Sequence, residues 1–151
     1  MELIPYDDFA RLRLTQYFPD ASGLAPLTDW EFMGGVWVGE ADGFTEFLRP
    51  NGRPNELGSI AVDLSALPEH IGIGILDTIR LPLRCGMSLE QVTHRLGTPE
   101  SAEEFVADRK SYNFTIGSRC PYYVSCTIRN SGDLIHVTVI RKDLMPEVDA
   151  A

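Results

Sequence analysis

The sequence predicts an α+β fold in which an antiparallel sheet of about six strands packs one face on a few short helices. Two observations support this prediction. Apolar and polar residues alternate over 111–116, 123–128 and 134–140, and a short helix with signals at both ends precedes these segments. The chain has 151 residues, of which 44% are hydrophobic, so residues 1–151 are predicted to form a single domain with its own core.

The first twenty residues are compatible with two kinds of element. Asp7 or Asp8 can cap a short helix that ends before Pro19. The alternation of Leu12 and Leu14 is equally typical of a strand. Both alternatives stay open at this point.

Residues 30–83 are predicted to contain strands joined by turns and loops. Aromatic and β-branched residues are typical of strands, whereas clusters of Pro, Gly and Asn are typical of loops. The predicted elements are a strand over 30–38 bent at Gly34-Gly35, an acidic turn over 39–43, a strand over 44–48, a Pro/Gly loop over 49–58, a strand over 60–64 and extended pieces over 71–83.

The helix Leu89–Leu96 is the best-defined element of the sequence. Ser88 is a favourable N-cap, and Gln91 lies three residues later, where its side chain can complete a capping box. Gly97 provides a residue that readily adopts the left-handed conformation after a helix, and Pro99 prevents continuation. All the local signals therefore agree on where this helix begins and ends.

The alternating segments after this helix predict the register of an antiparallel meander. With a four-residue loop at Asn130–Asp133 and a five-residue loop at Gly117–Pro121, Cys126 opposes Val137 and Phe114 opposes Val124. In this register Ile135, Val137 and Val139 belong to the apolar face, together with Tyr112, Phe114, Ile116, Val124, Cys126 and Ile128. A further strand is predicted around 104–107.

The opposite face of the meander is predicted to be rich in hydroxyl groups and to lack charge in its middle. Its cross-strand rows are Ser111–Thr127–His136, Asn113–Ser125–Thr138 and Thr115–Tyr123–Ile140. An antiparallel sheet with one buried face leaves the other face free for solvent or a partner.

The charge of the chain limits the classes of partner. The net charge is −9, and residues 1–75 carry twelve acidic residues against four Arg. Phosphate backbones are repelled by such a surface, so nucleic-acid binding is not expected, whereas a basic protein partner is favoured. No segment is apolar enough for a membrane helix, and the start, MELIPYDDFARLRL, lacks the pattern of a secretory signal. A cytoplasmic protein with reduced Cys85, Cys120 and Cys126 is therefore expected.

No catalytic, metal or cofactor motif is predicted. His70, His94 and His136 do not form HxH or HxxxH pairs, and Cys126 and His136 lie on opposite faces in the predicted register. The acidic residues Glu40, Asp42 and Glu46 are expected in solvated loops, and the IGIGI segment at 71–75 lacks the spacing of a phosphate loop. Trp30 and Trp37 are predicted to be core residues rather than a ligand cage.

One part of the chain resembles a known family. The residues Gly86-Met87-Ser88, Gln91-Val92 and Leu96-Gly97-Thr98-Pro99 are similar to the helix–sheet unit of the SmpA/OmlA lipoproteins and of the β-lactamase-inhibitor-protein-like domains. The resemblance covers roughly residues 80–141. The chain departs from the lipoproteins because it has no lipid-acceptor cysteine near residue 20, and from the inhibitor proteins because it has one copy of the motif rather than two.

The resemblance implies a protein that binds other proteins through its sheet surface. Carried over by position, it nominates seven residues as a partner-binding face: Asn113, Thr115, Tyr123, Ser125, Thr127, His136 and Thr138. The expected function is therefore protein–protein recognition, with a bacterial immunity-type inhibitor as its most specific form. The alternatives are a small enzyme with an unrecognised pocket and a structural homodimeric module.

Overall fold

The computed structural model describes residues 1–12, 31–33, 36–41, 44–49 and 56–144. One helix precedes the first four strands, two consecutive helices follow them, and the last four strands follow one another directly. The elements are α1 (Tyr6–Arg11), β1 (Glu31–Met33), β2 (Val36–Ala41), β3 (Phe44–Arg49), β4 (Glu56–Asp63), α2 (Glu69–Thr78), α3 (Leu89–Leu96), β5 (Ser101–Val106), β6 (Arg109–Ile116), β7 (Tyr122–Arg129), β8 (Leu134–Arg141) and a 3-10 turn (Lys142–Leu144).

The described strands form a single antiparallel sheet in the order β1-β2-β3-β4-β8-β7-β6-β5. The predicted α+β class is confirmed, but the sheet has eight described strands rather than about six. The count rises in part because residues 31–41 form two strands instead of one. β4 pairs with β8 and so joins the two halves of the sheet.

The predicted register of the meander is confirmed. Cys126 pairs with Val137, Phe114 with Val124, and Thr127 with His136. The one exception in this region is Ile135, because the register shifts between Thr127 and Ile128 so that Ile128 pairs with Leu134. This bulge puts Leu134 into the core and leaves Ile135 outside the core cluster, although Ile135 is buried.

The helix α3 is confirmed with its predicted bounds and caps. The backbone amide of Gln91 donates to Ser88 Oγ at 3.2 Å, and the backbone amide of Ser88 donates to Gln91 Oε1 at 2.9 Å. These two bonds complete the capping box. Gly97 has a φ of 91°, a conformation that favours glycine.

The extended pieces predicted over 71–83 are wrong, because most of this segment is the helix α2. The isoleucines and glycines favoured a strand locally, but Ile71, Ile75 and Ile79 recur every fourth residue and lie on one side of a helix. Ile75 and Ile79 are fully buried in the core. A Cβ at Gly72 would lie 3.2 Å from Leu64 Cδ2, so glycine allows the helix to approach closely.

The single strand predicted over 30–38 is also wrong. Met33 pairs with Val36 and Phe32 with Trp37, so the chain reverses between β1 and β2 as a hairpin. The predicted loop over 49–58 extends too far at both ends, since β3 reaches Arg49 and β4 begins at Glu56. The predicted strand around 104–107 corresponds to β5, which begins earlier, at Ser101.

The N-terminal segment packs against the β6–β7 loop and the start of β7. Residues Tyr6–Arg11 form a helix, but the predicted cap is wrong, because Pro5 is the N-cap and Asp7 and Asp8 lie in the first turn. Leu14 and the predicted helix end at Pro19 lie outside the described residues. Tyr122 Oη donates to the Ile4 carbonyl at 2.7 Å, and the ring of Tyr122 meets Phe9 edge-on at 5.2 Å. The Glu2 carboxylate accepts from the backbone amide of Ser118 at 2.8 Å. Residues 1–12 therefore close one end of the core.

Candidate functional site

The seven predicted binding residues lie on one face of the sheet, opposite the core. Cross-strand pairing places them in three rows, which continue onto β4 and β5. We call this surface the polar face; its rows are Asp63–His136–Thr127–Ser111–Glu103, Ala61–Thr138–Ser125–Asn113–Ser101 and Ser59–Ile140–Tyr123–Thr115.

The middle row contains Asn113, whose side chain is buried and hydrogen-bonded to residues on both neighbouring strands. This residue is only 1% exposed, and its amide Nδ2 donates to Ser101 Oγ at 2.9 Å and to Glu103 Oε1 at 3.1 Å. Its Oδ1 accepts from Ser125 Oγ at 2.8 Å. Because these bonds use the donors and the acceptor of the side chain, Asn113 holds β5 on the sheet rather than contacting a partner. The prediction that Asn113 belongs to an open binding face therefore does not fit its burial.

The third row is also bonded within itself. Thr115 Oγ1 donates to Glu100 Oε1 at 2.7 Å and accepts from Lys142 Nζ at 2.8 Å. Tyr123 lies beside it, half-buried, and its pKa is raised by burial and then by the carboxylates of Glu103 and Glu100. The phenol is thus neutral and faces acidic neighbours.

The first row forms the floor of a cleft of about 300 Å³. His136, Thr127, Ser111 and Ile135 line the cleft from the sheet. Ser111 Oγ and Thr127 Oγ1 are hydrogen-bonded to each other at 2.9 Å. The remaining lining residues come from the end of β4 and from the β5–β6 hairpin: Asp63, Ser65, Phe105, Val106 and Arg109.

The titratable residues of the cleft lining are His136, Asp63 and Arg109, and the Arg109 guanidinium is paired with Asp108 at 2.9 Å. Burial lowers the pKa of His136, and the Asp63 carboxylate opposes that shift more weakly, so the imidazole is neutral at physiological pH. Asp63 Oδ1 accepts from the Ser65 amide at 3.0 Å and from Ser65 Oγ at 2.6 Å. A neutral imidazole can donate one hydrogen bond and accept another, which suits recognition of a polar group.

Phe105 and Val106 form the apolar wall of the cleft. They are 80% and 53% exposed, and the only other large hydrophobic residue so exposed in the described part of the chain is Met1. The bulge in β5 between Glu103 and Val106 accounts for their position, because a bulge redirects side chains locally. Sequence reasoning missed both residues. The signal was present as two adjacent apolar residues after Glu103-Glu104, but only the pairing shows that they project from an edge strand.

The row Asp63–His136–Thr127–Ser111 contains the residue types of a nucleophilic site without its hydrogen bonds. Within the described residues no hydrogen bond joins His136 to Asp63 or to Thr127. A hydroxyl nucleophile needs a base within hydrogen-bond reach and a group that orients the base. The row therefore supports binding better than it supports covalent catalysis.

The other residues considered for chemistry lie apart from the cleft floor. Cys126 is fully buried in the core, its pKa is raised to about 12 by burial, and it lies on the face opposite His136, as predicted. His94 is exposed on α3, and His70 is exposed in the first turn of α2. The prediction of loops at Glu40 and Glu46 is wrong, because these residues belong to β2 and β3. Trp30, Asp42 and the side chains of Trp37, Glu40 and Glu46 lie outside the described residues. Where the structure describes the chain, no group of three metal-ligating side chains occurs, and no helix is long and apolar enough to span a membrane.

No family model, curated protein or solved structure matches this chain. The resemblance of residues 80–141 to the SmpA/OmlA and β-lactamase-inhibitor-protein-like unit therefore stays a prediction from the sequence motif.

Proposed function

We propose that this protein is a recognition module that binds a partner protein through the cleft above His136. The observation that carries the proposal is the position of two exposed apolar side chains, Phe105 and Val106, directly beside a row of hydrogen-bonding groups. An apolar contact surrounded by polar groups is typical of the central part of protein interfaces.

The charge of the chain supports a basic partner. The net charge is −9, and Glu100, Glu103 and Glu104 lie along or next to β5. The cleft lining contains Asp63 and Arg109, and the charge of Arg109 is offset by its ion pair with Asp108. Opposite charges speed the encounter and select against acidic partners. The more specific form of the proposal is an immunity-type inhibitor of a basic toxin, which the same acidic surface supports.

A photo-reactive phenylalanine analogue in place of Ser65 tests the proposal in cells of the source organism. Ser65 is exposed and lines the cleft on the side away from β5, so a bound partner comes within reach of the probe. We expect one predominant protein adduct, and none when the analogue replaces His94 on α3. The partner is then purified, and its affinity for the wild-type protein and for cleft variants is measured by calorimetry.

The cleft variants are expected to weaken binding. Phe105→Ala and His136→Ala should each lower the affinity about tenfold or more, as residues at the centre of an interface do. Glu90→Ala on α3 is the control and should leave the affinity unchanged, since Glu90 is not among the residues that line the cleft. If the partner binds all four proteins equally, the cleft is not the binding site. An adduct with a second copy of the chain would favour the homodimeric module instead.

A further inference from the structure

β5 is the last strand of the sheet at one edge. It pairs with β6 on one side, and no described strand lies on its other side. All six of its residues are exposed. A strand at the edge of a sheet presents unpaired N–H and C=O groups, which are a template for pairing with another strand.

The two edges of the sheet differ in how strongly they are protected from pairing with another strand. β1 has three residues, and a very short strand is one of the usual ways to protect an edge. β5 has six residues and carries Phe105 and Val106, which are 80% and 53% exposed and favour association. The bulge in β5 and the charges of Glu103 and Glu104 restrict which strands can pair there without removing the open edge.

The acidic side chains along β5 favour pairing with a strand that carries positive charge. Glu103 and Glu104 lie in β5 and Glu100 directly precedes it, and within the described part of the chain none of the three is in an ion pair. A second copy of β5 paired in antiparallel fashion about residues 103 and 104 would place carboxylates opposite carboxylates. Like charges directly opposite each other destabilise a sheet, so the occupant is a basic segment rather than another β5.

The edge is also held in place before any partner binds. The backbone amide of Asn130 donates to the backbone carbonyl of Asp108 at 2.8 Å. The side-chain Nδ2 of Asn130 donates to the backbone carbonyl of Ala107 at 3.1 Å. These bonds fix the tip of the β5–β6 hairpin, while Asn113 fixes the start of β5 through Ser101. A fixed edge reduces the ordering cost of binding.

We propose that an extended segment of a basic partner protein pairs with the outer edge of β5 and extends the sheet. Lys or Arg side chains of the segment lie near Glu103 and Glu104, and an apolar side chain packs on Phe105 and Val106. This mode of recognition obtains affinity from main-chain hydrogen bonds and specificity from alternate side chains. The inference deepens the proposed function, since it assigns the partner a class of sequence and a geometry.

The direct test uses a short peptide in which Lys and Val alternate, with a Glu–Val peptide of the same length as the control probe. Hydrogen exchange of the backbone amides is followed by NMR on the full chain. With the Lys–Val peptide we expect the β5 amides that point away from β6 to exchange at least about tenfold more slowly, because they become hydrogen-bonded. The Glu–Val peptide should leave them unchanged.

Charge reversal on β5 provides the matched test by mutation. Glu104 makes no side-chain bond within the described residues, so Glu104→Lys changes the charge of the edge without removing a contact. We expect it to weaken Lys–Val binding about fivefold and to strengthen Glu–Val binding, as for exposed ion pairs. Glu90→Lys on α3 changes the net charge equally and should do neither.

The outcomes separate this inference from the proposed function. If the peptide does not slow exchange in β5, or if Glu90→Lys weakens binding as much as Glu104→Lys, strand addition is wrong. The Ser65 cross-link to a partner would still stand in that case and would support recognition through the cleft alone. Slowed exchange in β5 without any cross-link from Ser65 would support strand addition and contradict the cleft.

Discussion

The two faces of the strands β6–β8 are built by the same residues in alternation, yet they are organised differently. On the inner face Phe114, Val124 and Val137 are at most 1% exposed, and their identities are set by burial alone. On the outer face the hydroxyl and amide groups bond to each other in rows, as Ser111 does to Thr127 and Asn113 to Ser125.

This difference shows that an alternating pattern predicts a core more completely than it predicts a binding surface. The inner face is uniform, so any apolar residue with the correct parity belongs to it. The outer face has two parts. A hydrogen-bond network around Asn113 occupies its middle, and the cleft lies at one end. The candidate site therefore depends on residues from the margins of the sheet, in particular Phe105 and Asp63.

Removal of Tyr122 from the inner face should have the largest effect on stability. Tyr122 is fully buried, donates to the Ile4 carbonyl at 2.7 Å and meets the Phe9 ring edge-on. Tyr122→Ala should lower the free energy of unfolding by about 3–5 kcal/mol, because it leaves a cavity and frees residues 1–12 from the sheet. Denaturant unfolding followed by circular dichroism measures the change.

The neighbouring Tyr123 is the matched control for the other face. It is half-buried and makes no described hydrogen bond, so Tyr123→Ala should cost less than about 1 kcal/mol. Equal losses for the two variants would contradict the assignment of the faces.

Asn113 should behave as a core residue although it lies on the polar face. Asn113→Ala removes three hydrogen bonds and should lower the free energy of unfolding by about 1–3 kcal/mol. The same unfolding measurement on Thr138→Ala, in the same row but without a described hydrogen bond, should show a change within about 0.5 kcal/mol. If Asn113→Ala were as mild as Thr138→Ala, the closed middle of the polar face would be wrong.

Much of the C-terminal half could be predicted from the sequence, since its signals are local. The caps of α3 and the turn lengths at Gly117–Pro121 and Asn130–Asp133 were sufficient for the register of β6, β7 and β8. Ile135 was misplaced because a bulge changes parity without a distinctive residue to mark it. The sequence does not distinguish the helix α2 from a strand, because its isoleucines satisfy both patterns. The close approach of Gly72 to Leu64 is a packing contact that the local sequence does not show.

The candidate site was predictable in part. His136 and Thr127 were expected next to each other on the polar face, and they are paired there. The cleft itself could not be predicted, because it requires β4 beside β8 and a bulge in β5, and both depend on contacts distant in sequence. For the same reason Asn113 was predicted as a contact residue, since nothing in its local sequence shows that Ser101 and Glu103 lie within hydrogen-bond distance.

The smallest expected effect is a pH dependence of stability from His136, and it follows from partial burial on the polar face. Burial lowers the pKa of His136 in the folded state, whereas the unfolded side chain titrates near the ordinary value of 6.5. The unfolded chain therefore binds more protons as the pH falls through about 6.5, and the contribution of His136 to stability is complete above that pH and is lost below it. The Asp63 carboxylate beside the imidazole reduces this effect, because it favours the protonated form.

Comparison of the wild-type protein with His136→Gln isolates the contribution of His136 from that of the carboxylates, which titrate in both proteins. Denaturant unfolding at about pH 5 and about pH 7.5 should show that the wild type loses more stability at the lower pH than the variant does. The full chain with Asp63→Asn should show a larger loss than the wild type, since the opposing charge is gone. Parallel pH profiles for the wild type and His136→Gln would mean that the imidazole is as well solvated in the folded state as in the unfolded state. In that case the cleft would be an open part of the polar face rather than a partly desolvated site. The cleft row and the middle row of the polar face would then not differ as proposed.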